Sequence, residues 1–208
     1  MPGVYRRGAD AARYERNLVA RFFNAAHSRH PQCPPEGEWD SWLFLMQHSR
    51  LPTRLLDWTQ SALVAAYFAV TEHPDMPGAI WALSPIIFNS EHVGLRGIPT
   101  PGHAKATQLF AAPFRETAPQ SEDIVAVIPR EIDFRMLVQS SVFTIHGSQT
   151  ALEDFGPSDH FLVKFRVPAA AKPVIQKQLS RFGLGGSYLF PDLEHLAKEL
   201  ASLTFETV

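Results

Sequence analysis

Fifteen consecutive residues carry most of the chemistry that the sequence displays: Gln47-His48-Ser49-Arg50-Leu51-Pro52-Thr53-Arg54-Leu55-Leu56-Asp57-Trp58-Thr59-Gln60-Ser61. Amide, imidazole, guanidinium, carboxylate and hydroxyl groups crowd one connection between two apolar segments that tether its ends. An arginine ahead of a helix N-terminus suits an anion, because unpaired backbone N–H groups and the helix dipole both favour negative charge. Arg54 and the helix start that follows it are therefore a candidate phosphate grip. A plainer account has Asp57, Thr59 and Ser61 capping that helix, with Arg54 paired to Asp57. Capping accounts for Thr59 but leaves Gln47, His48, Thr53 and Arg54 in the same corner unexplained.

Other chemical signals are weaker. His27, His30 and Cys33 are three residues apart, as in half of a zinc site. No second ligand pair follows at a suitable spacing, and the neighbouring prolines read as a surface loop, so no metal is expected. Gly183, Gly185 and Gly186 follow a helical stretch and lack a phosphate-loop lysine, which points to a helix end and turn. Neither a G-x-S-x-G elbow nor an H-E-x-x-H helix is present.

The elements that must position these residues follow from periodicity. Ala9 to Ala26 reads as an amphipathic helix with Tyr14, Leu18, Phe22 and Ala25 inward. Trp39, Trp42, Leu43 and Met46 form a second helical stripe through His48, and Pro52 then turns the chain into an irregular stretch, Arg50 to Trp58. Thr59 caps a third helix running to about His73, with Leu63, Val64, Tyr67 and Phe68 buried. A strand is expected at Ala79 to Leu83. Ser84 to Asp123 holds five prolines (Pro85, Pro99, Pro101, Pro113, Pro119) and reads as a long excursion with one short helix near Gln108 to Ala111. Strands follow at Ile124 to Ile128, Ser141 to His146 and Phe161 to Val167, then helices at Ala170 to Phe182 and Asp192 to Leu203. The expected fold is one α+β domain over residues 1–208, helices before and after a small mixed or antiparallel sheet.

Composition narrows the class. The 208 residues are 45% hydrophobic and 19% charged, with fifteen Phe and four Trp, which excludes disorder and supplies a core. A net charge of −2 gives no bulk electrostatic footprint for nucleic acid or an anionic membrane. The longest apolar run, Ala62 to Val70, is far short of the roughly 20 residues a bilayer span needs. One cysteine, Cys33, forbids an internal disulfide, and the charged N-terminus has no apolar signal core; a cytoplasmic protein is expected.

Three blocks carry a resemblance. They are Met46-Gln47-His48 with Leu51 to Thr59 through Ala65, Phe68 and Ala69; Arg135 to Thr144 ending at His146-Gly147; and Lys164 to Pro168 with Leu189 to Leu193. Together they resemble the FRG domain family, whose members look bacterial or phage-borne, over about Arg13 to Leu200. The family is named for an aromatic-Arg-Gly motif on an N-terminal strand. Tyr5-Arg6-Arg7-Gly8 is the one candidate, with one arginine in excess. The preferred alternative aligns Pro2 to Arg7 with the downstream segment that enters the first helix, so that the chain begins after the naming motif.

The layout is similar, at the level of fold analogy, to ADP-ribosyltransferases of the arginine-serine-glutamate type, which implies a split sheet and NAD as substrate. On that resemblance Thr59 and Ser61 lead into Ala65 and Phe68, and Gln139 takes the late catalytic position. Arg54 and Thr53 with the third helix would hold pyrophosphate, Gln139 a ribose hydroxyl, and Trp58 or Phe143 the nicotinamide ring. Cleaving the glycosidic bond builds positive charge on the ribose, as in glycoside hydrolysis. An amide cannot serve as general base, so His48, Asp57 or His146 would have to. Each has a plainer alternative: Trp58 and Phe143 as core, and Gln139 as a buried amide satisfying backbone groups. Two functions stay open. One is an NAD-consuming transferase or glycohydrolase, a toxin or anti-phage defence effector acting on a protein or nucleic-acid acceptor. The other is a non-catalytic FRG module that binds a nucleotide, an NAD-like small molecule or a partner. No membrane association is implied.

Overall fold

The computed structural model describes residues 1–115, 117, 121–130, 134–155 and 159–202. The fold is α+β, and among the described residues helix predominates over two small sheets. The chain divides into two compact units, each discontinuous in sequence. The first takes Met1–Trp58, Leu83–Ile132 and Val142–Val163; the second takes Thr59–Ala82, Asp133–Ser141 and Lys164–Val208. Among the described residues no helix is long and apolar enough to cross a membrane.

In the first unit, α1 (Ala11–Ala26) follows a 3-10 stretch, Val4–Asp10, that breaks at Gly8 with φ 72°. Its buried face is Ala11, Glu15, Val19 and Ala26, one residue round from the expected Tyr14, Leu18, Phe22 and Ala25. The rotation puts a carboxylate on the inward stripe. α2 (Trp39–His48) lies where its stripe predicts, with Trp42, Leu43 and Met46 fully buried. It ends on Arg50 at φ 63°, where the Leu51 N–H closes back on the Met46 carbonyl at 3.0 Å.

The supposed irregular stretch then ends in a strand, β1 (Leu55–Thr59). Five residues are too few for alternation to announce a strand in sequence. The first unit's sheet runs in the order β1-β4-β3, with β3 (Ile124–Val127) antiparallel to β4 (Ser141–His146), Ile124 facing His146 and Val127 facing Phe143. Phe44 of α2 packs on Phe110 and Phe143, with ring centroids 5.4 and 5.1 Å away.

Two helices, α4 (Pro85–Val93) and α5 (Ala104–Ala111), occupy the expected proline-rich excursion. Pro85 starts α4 at its first turn, where its missing N–H costs nothing, and Gly94 ends it at φ 68°. Asn89 on α4 is wholly buried: it donates to the Gly97 and Ala126 carbonyls and accepts from the Ala126 N–H, each at 2.9 Å. Its amide thus stands in for a strand partner of β3. Pro119 lies outside the described residues.

The second unit holds α3 (Ala62–Thr71), β2 (Gly78–Leu83) paired with β5 (Leu162–Val167), α6 (Phe134–Val138), α7 (Lys172–Arg181), α8 (Gly186–Leu189) and α9 (Leu193–Ser202). Leu203, the expected end of the last helix, lies outside the described residues. Val70, Val167 and Leu179 form this unit's core. Leu63 and Phe68, expected inside, are nearly half exposed, because α3 is apolar all round and only the Val64–Val70 side is buried. The Lys172 ammonium is buried and donates to the Glu72 and His73 carbonyls at 2.8 and 3.0 Å, satisfying acceptors just past α3. Gly183, at φ 75°, follows α7 as a left-handed helix end, as its sequence position predicts.

Candidate functional site

Arg54, immediately before β1, is 6% exposed. Its guanidinium meets Glu15 of α1: NH2 donates to Oε2 at 2.7 Å, and Nε lies 3.1–3.2 Å from both carboxylate oxygens. The Arg54 backbone N–H also donates to Glu15 Oε1 at 3.1 Å, and NH1 points to the Leu109 carbonyl at 3.4 Å. Burial opposes the guanidinium charge, but the Glu15 carboxylate more than offsets this and holds the arginine pKa above its usual value. The arginine that the sequence suggested pairing with Asp57 is therefore closed on a carboxylate 39 residues upstream.

Around that pair lies a buried polar network. Tyr5 donates to the His146 carbonyl at 2.8 Å, and the His146 N–H donates to the Arg54 carbonyl at 3.0 Å. Burial pushes the Tyr5 phenol up to about 12, with Arg54 opposing and Glu15 adding. Trp58 Nε1 donates to the Thr144 hydroxyl at 3.1 Å, and that hydroxyl lies 2.9 Å from His146 Nε2. With Trp58 as donor to its oxygen, Thr144 can give its own proton to Nε2, which leaves the imidazole proton on Nδ1. That nitrogen is buried and has no hydrogen-bond partner among the described residues. Burial first, then the positive amino terminus and Arg54, push the His146 pKa down to about 3, so the ring is neutral. Gly147 ends the strand where a Cβ would collide with the Ser121 carbonyl, which explains a glycine directly after that histidine.

The remaining candidates resolve into two groups. In the first unit, Thr53 donates to Gln47 Oε1 at 2.5 Å and accepts from the Leu55 N–H, while Gln47 Nε2 donates to Asp57 Oδ2 at 2.7 Å. Asp57 is exposed, His48 is half-buried, and Phe143 is core beside Phe44. In the second unit, Ser61 rather than Thr59 caps α3, its hydroxyl accepting from the Val64 N–H at 3.4 Å. Thr59 is a strand residue whose hydroxyl donates to the Gln139 carbonyl at 2.7 Å and accepts from the Ser61 N–H. The Gln139 amide donates to the Leu189 carbonyl at 2.8 Å and is 9% exposed. Arg54 and Gln139 thus each have their partners inside their own unit.

Glu15 is the residue that sequence reasoning missed. A glutamate four residues from both Ala11 and Val19 sits on the helix's apolar stripe, and a carboxylate there demands a buried cation. A cleft was missed as well. It lies in the first unit, has a volume of about 480 Å³, and is lined by Glu38, Trp39, Asp40, Pro101, Phe110 and Arg130 among others. Trp39 stacks on Phe114 at 4.9 Å and 25°, which makes an aromatic wall. Arg130 donates to Asp40 Oδ2 from NH2 at 2.6 Å and from Nε at 3.2 Å. His27 Nδ1 lies 2.9 Å from the Phe23 carbonyl and Cys33 Sγ donates to the His30 carbonyl at 3.3 Å, and no cluster of three metal-ligating side chains occurs among the described residues.

Residues 1–76 match the family model of the FRG domain, a span that includes the whole Gln47–Ser61 segment together with Glu15. Comparison with curated proteins and with solved structures returned no match.

Proposed function

We propose that this chain is a non-catalytic binding module of FRG type, whose polar signature segment is scaffold and whose first unit takes a partner in its aromatic cleft. One observation carries the reading: Arg54, the cation best placed by sequence to grip phosphate, is buried and held by Glu15 and the Leu109 carbonyl. In this pairing the residues do not fit a dinucleotide. Freeing Arg54 would strand the Glu15 carboxylate inside the first unit, a loss of several kcal/mol. His146 is equally unsuited as a general base, since a buried imidazole with pKa about 3 is too weak to take up a proton near neutrality.

An ADP-ribosyltransferase-like, NAD-consuming reading draws on a different group. Asp57 is an exposed carboxylate oriented by Gln47 within the same segment, so a base is at hand there. The two readings part in one assay. The chain is incubated with NAD and a cell lysate, and free nicotinamide is measured by chromatography. The binding-module reading expects no release above the buffer rate. Release that falls away in Asp57→Asn and Gln139→Ala would overturn it.

A further inference from the structure

The cleft beside the start of α2 has a composition that selects its ligand, and that selection rests on the binding-module reading. Three charges face it among the described residues. Asp40 is nearly buried, its side chain 12% exposed, whereas its partner Arg130 is 59% exposed. Glu38 lies 4.0 Å from the same guanidinium and accepts from the Ser41 hydroxyl at 3.2 Å. Two carboxylates against one cation leave the cleft net negative, so a phosphate would be repelled.

The pairing of Arg130 is also incomplete. Among the described residues, both of its N–H contacts fall on the single oxygen Oδ2 of Asp40, whereas a guanidinium fork can use both carboxylate oxygens. Nothing among the described residues donates to Oδ1, which can accept from a second donor. Trp39 lines the same cleft, stacked on Phe114, a surface on which a flat cation gains from the ring quadrupole. Buried acid, stacked indole and a solvent-side arginine already seated on that acid together describe a receptor for one kind of group.

We propose that this cleft binds a guanidinium group, the arginine side chain of a partner polypeptide, over Trp39 and on the carboxylates of Asp40 and Glu38. Arg130 is then an internal competitor that keeps Asp40 paired while the cleft is empty and swings toward solvent when the ligand arrives. Lysine fits less well, because its ammonium has neither the planar face nor the paired N–H edge.

The test uses the full chain and the Trp39 indole N–H resonance, assigned by its loss in Trp39→Phe. Probes are a short arginine-containing peptide, the same peptide with lysine or citrulline, and free arginine. Saturable shifts with the arginine peptide, weaker by about tenfold with lysine, are expected, the step between a good and a poor charge-assisted pair. Asp40→Asn should weaken binding at least about tenfold, the loss of one charged acceptor. Arg130→Ala should tighten it several-fold, which a merely structural arginine would not do.

Free arginine binding as tightly as the peptide would overturn the polypeptide source and leave a small guanidine as ligand. No response to any arginine probe in either the native chain or Arg130→Ala would overturn the guanidinium assignment. A shift of Trp39 by the citrulline peptide alone would do the same while leaving the binding-module reading intact. Nicotinamide release that falls away in Asp57→Asn and Gln139→Ala, by contrast, would overturn that reading whatever Trp39 does.

Discussion

Replacing Glu15 with Gln keeps the size and shape of the side chain and removes only the charge that holds Arg54. The Glu15 carboxylate accepts from the backbone N–H, Nε and NH2 of Arg54, and both residues are under a tenth exposed. Breaking a buried pair from one side leaves an uncompensated charge, at a cost of about 3–5 kcal/mol. With a urea dependence of about 2–3 kcal/mol/M for a chain of this size, the midpoint should fall by about 1–2.5 M. Tryptophan fluorescence reads the relevant unit, because Trp39, Trp42 and Trp58 belong to the first and only Trp81 to the second. Arg54→Met alone should cost a similar amount, since it strands the glutamate instead. Glu15→Leu with Arg54→Met should recover at least about 2 kcal/mol relative to the sum of the single losses, as expected for residues in direct contact. A loss below about 1 kcal/mol for Glu15→Gln, or simple additivity in the double variant, would refute the scaffold role.

The same geometry sets three further outcomes. His146 has a folded pKa of about 3 against an unfolded 6.5, so its contribution is complete above about pH 6.5 and is lost as pH falls toward 3. Urea midpoints between pH 7.5 and 4.5 should decline more steeply in the native chain than in His146→Gln, by up to about 1.4 kcal/mol per pH unit; parallel declines would contradict the burial. Gly147→Ala drives a methyl into the Ser121 carbonyl and should cost about 1–3 kcal/mol, read as a lower urea midpoint. Gln139→Ala leaves the buried Leu189 carbonyl without its donor and should cost about 1–3 kcal/mol with no effect on ligand binding by the cleft; a change in cleft affinity would count against the separation of the two roles.

Much of the fold was legible because local pattern and tertiary packing agree. The α2 stripe Trp39–Met46 and the β4 run Ser141–His146 both occur with the expected bounds. Where they diverge, a single residue usually explains it. Pro85 counts as a breaker when grouped with its fellow prolines, yet Ser84-Pro85 ahead of an apolar run with Gly94 beyond it is a helix with both ends marked. Tyr14, Leu18 and Phe22 suggested the inward face of α1, but an ion pair 39 residues away in sequence turned it toward Glu15. The cleft was invisible for a similar reason: it joins α2 to Thr100–Gly102 and Arg130, and no local period links those segments.

Whether the signature arginine is sealed inside or open to a ligand is read without intermediaries by its own Nε–H resonance. Held by Glu15, that proton should exchange slowly, give a sharp signal at neutral pH that disappears in Arg54→Lys, and stay unmoved as NAD is added. A signal broadened by fast exchange with water, or one that shifts progressively with NAD, would contradict the sealed pairing and the binding module built on it.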